Sequence, residues 1–227
     1  MQARMGSSRY PGKMLKKLGD SSILEWVIKR LNRSEFLDNI VLATTISPID
    51  DILEKKAKDL DIDVFRGSNE DVLRRFVDVS KYYSIENVVR VCGDNPFICH
   101  HEVDRLIKFF YKNPCDYACN HANKLNNGYA DGFGAEIIPF KILYKIDQIA
   151  KEKRYREHVT TYLHENIQNF KMKGVPVPQY LAYPDLCFDI NTIDDKRKLE
   201  KLVDIGVTIN SNASNIINMY LLNFYDP

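Results

Sequence analysis

Arg4, Arg9 and Lys13 stand among small residues in the opening segment Met1-Gln2-Ala3-Arg4-Met5-Gly6-Ser7-Ser8-Arg9-Tyr10-Pro11-Gly12-Lys13. Small side chains such as Ala3, Gly6, Ser7 and Ser8 let backbone N–H groups close on an anion, and the three cations add charge. The guest expected there is an acceptor-rich polyanion such as a nucleoside triphosphate. Arg9 would bring a forked guanidinium to it and Lys13 a point charge. The spacing argues against an ATPase phosphate loop, which needs four residues between its glycines and a Ser or Thr after the lysine to hold Mg²⁺. Here five residues separate Gly6 from Gly12, and Met14 follows Lys13.

A second chemical segment is Val91-Cys92-Gly93-Asp94-Asn95-Pro96. A carboxylate on a tight turn after an apolar strand is placed to hold Mg²⁺, which takes oxygen ligands and keeps some of its waters. The bland alternative is an Asp that caps the helix beginning near His100. Thr44, Ser68 and Asp71, at the ends of two strands, are the residues expected to meet a nucleobase. Asp194 and Asp195 fit the start of the last amphipathic helix, where acids favour the positive end of its dipole. Glu157 and His158 are neighbours on an expected helix and point about 100° apart, so they form no dyad with each other. His100-His101 reads as a solvated helix start.

These residues need elements to hold them. Asp20-Ser21-Ser22 offers N-cap oxygens for a helix running to Asn32 on Ile23, Leu24, Trp26, Val27 and Leu31. Residues 39–45 are short, apolar and β-branched, as in a buried strand. Ser47-Pro48 opens another helix, 64–67 is a brief strand, 70–83 a helix and 87–92 a strand. This alternation continues to about residue 113 and predicts an α/β fold, a mostly parallel sheet with helices on both faces. Ligands of such sheets bind at the carboxyl ends of the strands, where all the segments above fall. Further on, strands are expected at 116–120, 134–139, 171–177 and 186–190, with helices at 140–151, 155–168 and 194–205. No linker or repeat interrupts the chain, which reads as one domain. Its residues 1–113 form a nucleotide-binding half, and 114–227 an acceptor-binding and dimerisation half.

Composition narrows the classes. The 227 residues carry 32 basic and 31 acidic side chains, a net charge of +1, which gives no general electrostatic case for nucleic acid or a membrane surface. No apolar run approaches the roughly 18 residues needed to span a bilayer. Five cysteines with no C-x-x-C pair read as unpaired thiols of a reducing cytoplasm rather than a zinc site.

The run Q-A-R-M-G-S-S-R-x-P-G-K resembles the signature of the cytidylyltransferase family that includes the SpsF-type spore-coat polysaccharide proteins. More distantly it is similar to the synthetases of CMP-Kdo and CMP-sialic acid. The resemblance implies a three-layer α/β/α Rossmann-like nucleotidyltransferase (GT-A-like) fold with a mixed, mostly parallel sheet. It also implies a short apolar strand ahead of Q-A-R, where this chain has only Met1. By the same resemblance Asp94 ligates Mg²⁺, and the D-x-D-T-x-E-D pattern of the family falls on Asp189 to Asp195, with Asn191 in place of the second acid. The implied metal set is therefore Asp94, Asp189 and Asn191. Asp131-Gly132-Phe133-Gly134-Ala135-Glu136 is similar to the family's D-G-x-x-x-E beside the acceptor, and Arg156-Glu157-His158-Val159-Thr160 to its R-E-H-V-T. Asp131, Glu136, Glu157 and His158 are the acceptor residues so implied. The activity implied is Mg²⁺-dependent transfer of CMP from CTP to a sugar or a sugar or polyol phosphate, by a homodimer, with Arg9, Lys13 and Asp94 carrying the chemistry. A GTP- or ATP-dependent sugar-1-phosphate nucleotidyltransferase and a non-catalytic nucleotide-sugar binding protein stay open. A glycosyltransferase fits less well, because its D-x-D pair is replaced here by Gly93-Asp94-Asn95-Pro96.

Overall fold

The computed structural model describes residues 1–122 and 124–224. A two-residue ribbon, β1 (Lys17–Leu18) antiparallel to β2 (Ser21–Ser22), leads into helix α1 (Ile23–Leu31). Ser22 Oγ accepts the Glu25 amide while the Glu25 carboxylate accepts the Ser22 amide, a reciprocal cap that fixes where α1 begins. Next come β3 (Val41–Thr45), α2 (Asp51–Lys58), β4 (Asp63–Gly67), α3 (Val72–Tyr82) and β5 (Asn87–Arg90), in the expected alternation. The chain continues through α4 (His100–Lys112), β6 (Tyr117–Cys119), β7 (Glu136–Pro139) and α5 (Phe140–Ile149). It closes with α6 (Lys153–Glu157), α7 (Thr161–Glu165), β8 (Met172–Gly174), α8 (Ile193–Asp204) and α9 (Ala213–Phe224).

β3 and β4 pair in parallel, and a second group runs in the order β5-β7-β6-β8. Within it β7 is antiparallel to both neighbours, while β6 and β8 are parallel. Residues Met1 to Ala3 stitch the two groups together. Gln2 bridges in parallel to Ala43 on one side and to Cys92 on the other. The Ala43 amide donates to Met1 O and the Gly93 amide to Gln2 O, both at 2.8 Å. Beyond Met1, no strand lies between β3 and β5 among the described residues. A cavity of about 380 Å³ is lined by Met1, Ile40, Val41, Val79, Tyr83 and Val88, among others.

Alternate strand residues enter different layers, so the sheet is buried on both faces and its strands read as apolar runs. Leu42, Ala118 and Ile137 pack with the apolar faces of α1, α2, α4, α8 and α9. Val88, Tyr117, Cys119 and Ile138 pack with α3, α5, α6 and α7. The result is the expected three-layer α/β/α arrangement with a mixed sheet.

Three local expectations differ from the structure. The helix foreseen over 155–168 is broken into α6 and α7, because His158 has extended backbone (φ −109°, ψ 91°). Residues 186–190 form no strand beyond one bridge between Cys187 and Asp131. Their amides serve loops instead: that of Phe188 donates to Asp131 O at 3.1 Å, and that of Ile190 to Asp94 O at 2.8 Å. His100 is 7% exposed, not solvated, and its ring packs 4.0 Å from that of His101. Burial, then the neighbouring imidazole, pushes its pKa down to about 4. Among the described residues, no helix is long and apolar enough to cross a membrane.

Candidate active site

The opening loop folds back on itself. The amides of Ser7 and Gly12 both donate to Met5 O, at 2.9 and 3.0 Å, and the Met5 amide donates to Asp50 Oδ1 at 2.7 Å. Gly12 has a left-handed backbone (φ +70°), which returns the chain toward Lys13 without a Cβ clash. The amides of Gly6, Ser8 and Arg9 have no acceptor among the described residues, so three N–H groups are free for a guest. Gly93 matters for a different reason. A Cβ there would lie 2.8 Å from Gln2 O and 2.9 Å from Ala3 Cβ, so only glycine lets the Asp94 turn lie against the opening strand.

The loop and this turn enclose a cavity of about 250 Å³ at the carboxyl ends of β5 and the Met1–Ala3 segment. Ala3, Arg4, Ser7, Ser8, Arg9, Lys13 and Asp94 all line it, as the sequence led us to expect. Lys13 is 8% exposed and donates to Asp94 Oδ2 at 2.8 Å and to Ile190 O at 2.7 Å. The last cation of the chain's signature thus clamps the Asp94 turn to the segment before α8. Arg4 donates to Asn69 O at 3.1 Å and lies 4.0 Å from Glu157.

The carboxylate segment is reached by a chain of contacts. Arg9 donates to Asn191 Oδ1, and the Asn191 amide donates to Asp189 Oδ2. A side-chain amide both accepts and donates, so Asn191 bridges a cation and a carboxylate where an aspartate could only accept. This is a different task from the metal ligand the sequence suggested. Thr192 and Asp195 form the reciprocal cap of α8, as expected for acids at a helix start.

Asp189 also accepts from the Cys187 thiol, and Asp131, Cys187 and Asp189 bring ligand atoms within 4.8 Å of one another. Burial, with the Asp131 and Asp94 carboxylates nearby, raises the Asp189 carboxyl above its usual range. Burial and the bond to Asp189 push the Cys187 thiol up to about 12. Like charges brought close are what a divalent cation relieves; the convergent carboxylates are those of Asp131 and Asp189, and Asp94 is not part of that cluster. Hard oxygen donors on Asp94 and Asp189 fit Mg²⁺, whereas a neutral thiol does not.

The expected acceptor residues divide in two. Glu157 and His158 line the same cavity as the loop. Asp131 lies with Asp189 and sits 3.1 Å from His121 Nδ1. Glu136 is corrected outright as a ligand-facing group: it is 0% exposed. It accepts from Arg90, from Tyr117 Oη at 2.6 Å, from Lys124 Nζ at 2.8 Å and from Thr160 Oγ1 at 3.2 Å. Arg90 and Lys124 hold its carboxyl well below the usual range against the opposing effect of burial.

The expected base-reading residues are not brought to the cavity wall. Thr44 is 0% exposed. On β3 it shares the face of Leu42, the face covered by α1 and α2. Ser68 and Asp71 are spent locally. Ser68 Oγ accepts the Asp71 amide at 3.0 Å, and Asp71 caps α3 and accepts from Arg156 at 2.8 Å. Gly6, expected with the loop, is not part of the lining, while six lining residues were missed in the sequence: Gln2, Met14, Val72, Arg75, Cys92 and Gly93. The alternation of Gln2 with Met1 and Ala3 was the available hint for the first.

Comparison with known proteins agrees with this geometry. The cytidylyltransferase family profile matches residues 1–225. The chain is 39% identical over 221 residues to an uncharacterised protein of Methanocaldococcus jannaschii, covering 96% of this chain and 87% of that one. It is 32% identical over 225 residues to the spore coat polysaccharide biosynthesis protein SpsF of Bacillus subtilis, covering 96% and 91%. The structure of a cytidylyltransferase from Leptospira borgpetersenii superposes with a TM-score of 0.91 at 32% identity, covering 98% of this chain and 92% of that one. The chain therefore belongs to the cytidylyltransferase family and is a nucleotidyltransferase.

Proposed function

We propose that this enzyme transfers CMP from CTP to a sugar or a sugar or polyol phosphate, in the synthesis of a surface polysaccharide, with Mg²⁺ as cofactor. The observation that carries the reading is the cavity itself, lined by Ser7, Ser8, Arg9 and Asp94, with the unpartnered amides of Ser8 and Arg9 on its loop and Lys13 bonded to Asp94. An acceptor oxygen attacks the α-phosphorus in line. The new O–P bond forms as the bond to the pyrophosphate oxygen breaks, and a hydroxyl acceptor loses its proton to solvent. Positioning and charge neutralisation supply most of the acceleration in such a reaction. The free amides and Arg9 receive the β- and γ-phosphates and stabilise the leaving pyrophosphate. Lys13 keeps Asp94 facing the cavity. Asp94 and Asp189 are the residues that would hold Mg²⁺, which would supply charge neutralisation to the phosphates. Asn191 orients Arg9, and Glu157 and His158 lie where an acceptor would approach.

The name of the Bacillus relative supports a polysaccharide destination. Five unpaired cysteines suit a reducing compartment, so we place the reaction in the cytoplasm. A homodimer completes the reading and is tested by light scattering. The activity is tested by pyrophosphate release with CTP, GTP, ATP and UTP in turn, with Mg²⁺ or EDTA, against a panel of acidic sugars and sugar or polyol phosphates. Acceptor-dependent release with CTP alone, abolished by EDTA, is expected. Release with a purine nucleotide instead would overturn the choice of base.

A further inference from the structure

Two arginines are buried, Arg30 and Arg75, and a third, Arg90, is nearly so; they are satisfied very differently. Arg30, 1% exposed, donates to the carbonyls of Ile98 at 2.6 Å, Ile209 at 2.8 Å and Ser211 at 2.9 Å, and so ties α1 to the segment before α9. Arg90 also has an Nε without a partner among the described residues, but its charge is neutralised by Glu136. Arg75, 2% exposed, has one acceptor: its Nη1 donates to Ser68 O at 3.0 Å. Its Nε has no partner among the described residues. A guanidinium carries five N–H donors, and leaving them unmatched in the interior is costly.

The place of Arg75 is informative. It lies on α3 and lines the cavity of the glycine loop together with Val72, Ala3 and Arg4. Its stem runs over Gly67, where a Cβ would sit 3.0 Å from Arg75 Cγ, so the end of β4 is kept bare to admit it. Burial first, and then the Arg4 cation, pushes its pKa down to about 10, which still leaves it charged at neutral pH. A desolvated, half-matched cation beside a second cation is a site waiting for acceptor atoms from outside the chain.

We propose that Arg75 is a nucleotide-contact residue, whose unmatched N–H groups are taken up by acceptor atoms of the bound nucleotide. This rests on the reading of the cavity as the nucleotide site. The acceptors come from one of two parts of that ligand, the phosphate oxygens or the carbonyl and ring nitrogen of the base. Either part presents paired acceptors to a planar fork.

The test compares wild type with R75M, measuring thermal unfolding of the free proteins and calorimetric affinity for CTP, inorganic pyrophosphate and cytidine. Removing an unmatched buried charge leaves free R75M unfolding at the wild-type temperature or above it, while CTP affinity falls about tenfold or more. A loss confined to pyrophosphate assigns Arg75 to the phosphates, and one confined to cytidine assigns it to the base. An R75M protein that is less stable when free but binds CTP as wild type does would make Arg75 a structural residue and overturn the proposal. Unchanged stability with unchanged affinity overturns it as well. If R75M does not fold, R75Q, which keeps a donor for Ser68 O, carries the same comparison. Wild type that binds none of the four triphosphates overturns the nucleotide reading and this inference with it. Wild-type binding matched by the variant overturns this inference alone.

Discussion

The cavity behind the glycine loop and the cluster around Glu136 are both crowded with charge, yet their groups are matched in opposite ways. Glu136 is reached from four directions, by Arg90, Lys124, Tyr117 and Thr160, and shows no surface to solvent. The loop's exposed amides at Gly6, Ser8 and Arg9 have no acceptor among the described residues, and neither does the buried Nε of Arg75. Buried polar groups are normally paired within the protein. The Nε of Arg90 is unpartnered as well, so an orphaned donor alone does not mark a site. Both regions contain residues that short motifs would mark as functional. What sets Arg75 apart is that it lines the cavity and has no carboxylate partner among the described residues, whereas Arg90 has Glu136.

Four experiments press on that contrast. The largest effect is expected from Glu136→Gln, which leaves Arg90 and Lys124 without their carboxylate and costs about 3–5 kcal/mol of stability in urea unfolding. A variant of wild-type stability that had lost only acceptor affinity would move Glu136 from scaffold to site. Asp94→Asn comes next. It keeps an acceptor for Lys13, so the fold should hold, while turnover falls on the order of 100-fold or more; a variant with full turnover would remove Asp94 from the chemistry.

The third is a pH titration of stability. His100 has a folded pKa of about 4 against an ordinary 6.5, so the unfolded chain binds the proton first. Its contribution is complete above pH 6.5 and drains away as pH falls from 6.5 through 4. His100→Gln should flatten that part of the curve, and an unchanged slope would assign it to other groups. The smallest stability change belongs to Arg9→Ala, an exposed residue whose loss should move unfolding by less than about 0.5 kcal/mol. Its CTP affinity should nevertheless weaken several-fold by calorimetry, and equal affinity would take Arg9 out of the phosphate cradle.

Much of the fold was legible because its signals are local. Residues 39–45 are apolar without alternation, which is how a strand covered on both faces must read. Ser22 with Glu25, and Thr192 with Asp195, marked helix starts through chemistry confined to one turn. The opening loop was legible for the same reason, since glycine, charge and spacing all lie within it. What failed was non-local. Arg74 and Arg75 are neighbours of one type. The first reaches solvent and pairs with Asp78, and the second turns inward. Nothing in R-R says which is which, because that depends on the rotation of α3 against β4 and the opening strand. Leu186 to Ile190 has the alternation of a strand, but its amides are claimed by Asp131 and Asp94, residues far away in sequence. Glu136 sits between apolar neighbours in a strand, and its four partners come from four separate segments.

The clamp made by Lys13 has a consequence in time. Its ammonium meets a carbonyl 177 positions downstream, on Ile190. Proteins are synthesised from the N-terminus and tend to order early segments first. Here a segment made well before Ile190 is finished only after it. A nascent chain halted short of Ile190 carries the glycine loop and the Asp94 turn but lacks the carbonyl to which Lys13 is tied. The geometry of the cavity is therefore set only once the chain has been made as far as Ile190.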